Sequence, residues 1–160
     1  MKQFIQPLTE AHIRAFIGWQ YDEPYALYNM NQENEAEQIA FFSDPANGYF
    51  AIVAETGDLL GFCNFGADAQ VPGGDYTAEA IDIGIGMRPD LTGKGRGAEY
   101  AGAVFEFAIQ QFPNNPLRAT IAAFNKRAQK VCMQHGFQVV DKFERPGDER
   151  PFLIMMREVA

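Results

Sequence analysis

An α/β (α+β) domain, with helices on the faces of a mixed sheet, is the fold class this sequence predicts. Two patterns carry that prediction. Short stretches of apolar–polar alternation mark strands, and longer stretches with apolar residues every three or four positions mark helices. Their order along residues 1–160 reads β-α-α-β-β-β-α-β-α-β-β, and no repeat, linker or low-complexity tract divides it. Length is the third observation. A chain of 160 residues forms one domain and buries a core without metal or disulfide staples.

Residues 4–7, ending in Pro7, read as an edge strand, because proline has no N–H to give to a ladder. Thr9 is placed to cap a helix with Ile13, Phe16 and Ile17 on one stripe. Residues 19–28 are rich in aromatics and broken by Pro24, which predicts a loop with irregular helix. Helical patterning resumes over 33–42 and stops at the turn-forming residues 43–48. Strands at 49–54 and 59–65 flank Gly57 and Asp58 and so form a hairpin. After a loop over 68–76, a longer strand runs from about Glu79 to Met87. Ala101, Phe105, Ala108, Ile109 and Phe112 share one helical face, and Pro113 and Pro116 end that helix. The crossover makes the next strand, 117–122, parallel to the one before it. Ala128, Val131 and Cys132 face inward on a last helix closed by Gly136. Residues 137–143 and 152–156 alternate around a charged turn as an antiparallel hairpin.

The formal charge of -8 argues against nucleic acid, whose binding needs a basic footprint. No apolar run is long enough to span a bilayer, and the first residues lack the apolar core of a signal peptide. Two cysteines, Cys63 and Cys132, make no disulfide framework, so a cytoplasmic location is expected. His12 and His135 show no ligand spacing with them, and no metal site is expected.

The segment richest in chemistry covers residues 81–97. Ile81, Ile83, Ile85 and Met87 alternate, Pro89 stops the strand, and Gly93, Gly95 and Gly97 precede a helix. Glycines there permit unusual dihedrals and close approach, and backbone amides plus the positive helix end make an anion site. A phosphate or pyrophosphate is the expected occupant. A Rossmann signature would open a βαβ unit and need a later acid, and a P-loop would need Ser or Thr where Gly95 follows Lys94.

Two separated motifs resemble those of the GCN5-related N-acetyltransferase (GNAT) superfamily, nearest to its ribosomal-protein and small-substrate branch. The first is Thr92, Gly93, Gly95 and Gly97, with Thr92 where the family has Arg or Gln. The second is Asn125, Ala128, Cys132, Gly136 and Phe137, with Cys132 where the family has a tyrosine. The resemblance implies a mixed, mainly antiparallel sheet with helices on both faces. It implies acetyl-CoA as the acyl donor, held by Met87, Arg88, Thr92, Gly93, Lys94, Gly95, Arg96, Gly97 and Asn125. It also implies direct attack of a primary amine, from a small molecule or a protein N-terminus, on the thioester. The alternative is a non-catalytic acyl-CoA-binding or sensor domain. Either a monomer or a homodimer is compatible.

Individual residues keep two readings. Asp82 has the parity opposite to Ile81 and Ile83, so it faces a cleft beside Gly84 and Gly86 as a base, or is ordinary surface charge. Glu79, nearer the strand's start, is the second acid, and solvent is the third acceptor of the amine's proton. Cys132 is a weak proton donor or a small buried hydrophobe. Lys94 and Arg96 contact phosphate or sit on a solvated turn. Asn125 contacts the donor, caps its helix, or does both. Trp19, Tyr21, Tyr25 and Tyr28 wall the acceptor or pack the core, and Asp22 and Glu23 beside them attract an ammonium group or are ordinary surface acids.

Overall fold

Seven strands form one sheet in the order β1-β2-β3-β4-β5-β7-β6. A computed structural model describes residues 2–30 and 34–159. Its elements are β1 (Gln3–Pro7), α1 (Glu10–Phe16), α2 (Glu35–Ser43), β2 (Tyr49–Ala54), β3 (Leu59–Phe65) and β4 (Ile81–Met87). They continue with α3 (Gly97–Gln111), β5 (Leu117–Ala122), α4 (Lys126–Gln134), β6 (Gln138–Glu144) and β7 (Pro151–Arg157). Every neighbouring pair is antiparallel except β4 and β5. β1 is the expected edge. Thr9 caps α1 by accepting from the His12 N–H, and the His12 ring accepts from the Thr9 N–H in return. Glu33, in the stretch expected to begin α2, lies outside the described residues.

Helices cover both faces and define two cores. On one face α3 and α4 bury Tyr100, Val104, Phe105 and Cys132 against Ile52, Cys63, Ile83 and Leu117. On the other, α1 and α2 bury Ile13, Phe16 and Phe42 beside Phe62 of β3. There the Phe16 ring stacks on Phe62 at 4.5 Å and meets Phe42 edge-on at 5.0 Å. Each such buried side chain contributes about 1.5–3 kcal/mol through removal from water. No helix among the described residues is long and apolar enough to cross a membrane.

The sheet has one weak seam. β5 pairs along its full length with β7, from Leu117–Arg157 to Ala122–Phe152. With β4 it pairs only at Ile81–Leu117 and Asp82–Arg118. Beyond Asp82 the two parallel strands diverge, and a wedge opens toward the C-terminal end of β4. β4 is shorter than expected, because Glu79 stands in exposed coil before it.

Candidate active site

The wedge has a polar wall of backbone. The Arg88 N–H bonds to the Leu60 carbonyl on β3, and alternation along the strand turns the Ile85 and Met87 backbone groups to the opposite, β5 side. Past the last β4–β5 pair those groups face the gap. The Ile85 side chain reaches 36% exposure there, although its neighbours in parity, Ile81 and Ile83, belong to the α3 core.

Beyond Met87 the chain makes a 3-10 turn at Pro89–Leu91, closed by the Thr92 hydroxyl donating to the Pro89 carbonyl at 2.8 Å. Gly93 and Gly95 then take φ of 72° and 76°, the left-handed region that a side chain resists. They deliver the chain into α3, whose N-terminus has no side-chain cap. Its first amides stay available to an anion, and the positive end of a helix favours one. The space above Gly95 is open, with nothing within 4 Å of where a Cβ would stand. This arrangement fits the pyrophosphate of a CoA donor.

The flanking cations are largely committed to other partners. Arg88 forks onto Asp90 and donates to the Leu59 carbonyl, and the paired carboxylate raises its pKa. Arg96 pairs with Glu99 at 3.1 Å and lies over the Tyr100 ring. Lys94 is exposed on the glycine turn. Arg127, on the first turn of α4, is a residue the sequence motifs passed over. Its guanidinium lies 4.1 Å from the centroid of the Tyr25 ring, and a Cβ at Gly93 would stand 2.6 Å from its Nη1.

Asn125 occupies the second wall. Its Oδ1 accepts from the Ala128 N–H at 3.2 Å as a helix cap, while its Nδ2 donates to the Tyr28 hydroxyl at 3.1 Å. Both amide ends are in use. Gln129, buried one turn on, donates to the Ala122 and Ala123 carbonyls and holds the end of β5 against α4.

Residues 21–28 run between the two walls as a strap. The Tyr21 hydroxyl donates to the Met87 carbonyl at 2.5 Å, and the Tyr28 hydroxyl meets Asn125. Asn29 folds the strap by accepting from the Tyr21 N–H at 2.6 Å. Burial pushes Tyr21 up to about 12 and Tyr28 above the ordinary phenol range, so both stay protonated near neutrality. The Tyr25 ring faces both Tyr28 and Phe124. Trp19 packs instead toward Phe16 and Phe62 in the α1 core, away from the aromatic group of the strap. A cavity of about 270 Å³ lies between Tyr21, Asp22, Tyr25, Thr92 and Arg127.

The acids expected to act as bases sit elsewhere. Asp82 does have the parity opposite to Ile83, but the space it faces is filled. Arg118 donates to its two oxygens at 2.6 and 2.9 Å, and Gln70 adds a third bond at 2.8 Å. The pair is 5% and 2% exposed and closes the narrow end of the wedge. A buried carboxylate holding three donors ties the strands together and is poorly placed to take a proton from a substrate. Glu79 lies beyond that closed end, on the far side from Met87.

Cys132 is buried in the α3 core, and burial pushes its thiol up to about 12. A folded pKa raised above the 9.0 of an exposed thiol gives stability that is complete below 9.0 and lost as pH rises toward about 12. Denaturant unfolding at about pH 8 and about pH 11 checks this: Cys132→Ala should show the shallower alkaline loss.

Comparison with known proteins gives the fold and the family. No curated protein matches the chain. Among solved structures, a chimera of the spermidine N-acetyltransferase SpeG from Vibrio cholerae and hSSAT superposes with a TM-score of 0.76 at 15% identity, over 99% of this chain and 96% of that one. A GNAT-family acetyltransferase from Bacillus anthracis gives 0.74 at 16% identity, over 98% and 94%. At such identities the likeness is one of fold. Residues 3–138 match the family described as Acetyltransferase (GNAT) domain. With most of its length inside that match, and with a split sheet and glycine loop in place, the chain belongs to the GNAT acetyltransferase family.

Proposed function

We propose that the protein transfers the acetyl group of acetyl-CoA to a primary amine of a small molecule, with a protein N-terminus as the second acceptor class. One observation carries the reading: the β4–β5 ladder stops at Asp82–Arg118, so the Met87 edge opens onto the same gap as the glycine loop. Acetyl-CoA, when bound, supplies a thioester carbonyl for the amine to attack. This chain's part is to hold the phosphates at 93–97, present β4 amides to the carbonyl oxygen, and orient the amine beneath the strap. Asp22 and Glu23 place negative charge near an approaching ammonium, and the strap's rings suit an acceptor with apolar surface. With Asp82 engaged by Arg118, water in the open wedge takes the amine's proton.

Cys132 also favours a second reading, a domain that binds acyl-CoA without turnover, because a buried thiol is a poor proton donor. Thiol release from acetyl-CoA across a panel of amines separates the two. Tight CoA binding with no release on any amine leaves the sensor. For a catalyst, Cys132→Ala should lose less than about tenfold in rate, since donation by a positioned acid is worth on the order of 10²-fold or more. Tyr21→Phe removes the bond to the Met87 carbonyl. It should raise KM for the amine about fivefold to tenfold while the CoA Kd stays within about twofold; steady-state kinetics beside calorimetry reads that split.

A further inference from the structure

Arg127 is exposed, yet it has no carboxylate partner among the described residues, whereas Arg88, Arg96 and Arg118 are paired with Asp90, Glu99 and Asp82. Its guanidinium is held between two segments. One face lies on the Tyr25 ring of the strap, and Nη1 lies over Gly93, where a side chain would collide with it. Arg127, Tyr25 and Thr92 line the same cavity, with Asp22 and Glu23 on its strap side.

A guanidinium binds phosphate oxygens through the N–H groups on its edge and aromatic rings through its face. The two contacts use different surfaces, so a phosphate at the glycine loop and the stack on Tyr25 coexist. The anion would fix the side chain in one rotamer, and the fixed guanidinium would then hold Tyr25.

Resting on the acetyl-CoA reading above, we infer that Arg127 is a positioning residue that couples the two substrates: it clamps the donor's pyrophosphate at Gly93 and, through Tyr25, sets the strap that receives the amine. Donor binding preorders the acceptor wall. Linkage requires that the amine tighten the donor by the same factor.

The test compares wild type with Arg127→Gln, Arg127→Lys and Tyr25→Leu. Calorimetry gives the Kd for CoA, steady-state kinetics gives KM for acetyl-CoA and for acetylpantetheine, and hydrogen exchange over residues 20–28 is followed with and without CoA. Arg127→Gln should raise the CoA Kd about tenfold or more, the scale of a lost charge-assisted bond. It should leave the KM for acetylpantetheine, which has no pyrophosphate, unchanged. CoA should slow exchange in the strap of wild type but not of this variant. Arg127→Lys should recover part of the affinity without the protection, and Tyr25→Leu should keep affinity while losing protection. An unchanged Kd in Arg127→Gln, an equal loss with acetylpantetheine, or CoA-induced protection that survives in Arg127→Gln overturns the coupling while the donor assignment stands. Wild type with no affinity for CoA overturns the donor assignment and the coupling with it.

Discussion

A Gly95→Val variant is expected to stay folded and to lose about 100-fold in affinity for CoA. The residue sits at φ 76°, where a β-branched side chain is an outlier, while no atom beyond its own and the two adjoining residues lies within 4 Å of the added Cβ. The damage therefore falls on the loop's conformation and on whatever approaches its backbone, and the core is untouched. Left-handed strain of about 1–2 kcal/mol lowers Tm by only a few degrees. Calorimetry beside thermal unfolding reads both quantities. An unchanged Kd in the folded variant would remove the donor from this loop.

Asp82→Asn is expected to cost about 3–5 kcal/mol of stability, because it leaves the Arg118 charge buried and unpaired. For a domain of this size that lowers Tm by roughly 6–20 °C. Combining Asp82→Leu with Arg118→Met should be milder than either change alone, since both charges leave together. The same variant distinguishes structure from catalysis. A base would lose kcat with Tm intact, whereas a strand tie loses Tm first and drags kcat with it.

Local signals in the chain were legible wherever one residue type decides a local conformation. Pro7 marks an edge, Thr9 a cap, and Gly93 and Gly95 a left-handed turn, and each is found in that role. Periodicity likewise located both hairpins and the parallel crossover. What remained hidden depends on partners distant in sequence. Parity correctly turned Asp82 away from Ile83, but nothing local reveals that Arg118, in the neighbouring strand, fills the space it faces. The short β4–β5 ladder is equally silent, because it results from β5 following β7. Arg127 escaped notice because its meaning comes from Tyr25 and Gly93, one from the strap and one from the glycine loop.

The insertion of β7 between β5 and β6 has a consequence for biosynthesis. When β5 leaves the ribosome its available neighbour is β4, which offers two ladder pairs. Its full partner arrives thirty residues later at the near end (122 to 152) and forty at the far end (117 to 157). In that interval a nascent chain carries a completed four-stranded half, β1 to β4, beside a bare edge of Leu117, Ala119 and Ile121. Contacts that distant close slowly, and an unpaired apolar edge is a template for pairing with another chain. Slowed translation through residues 123–150 therefore lengthens the period in which this protein needs a chaperone, even though β7 covers the full length of β5 in the finished fold.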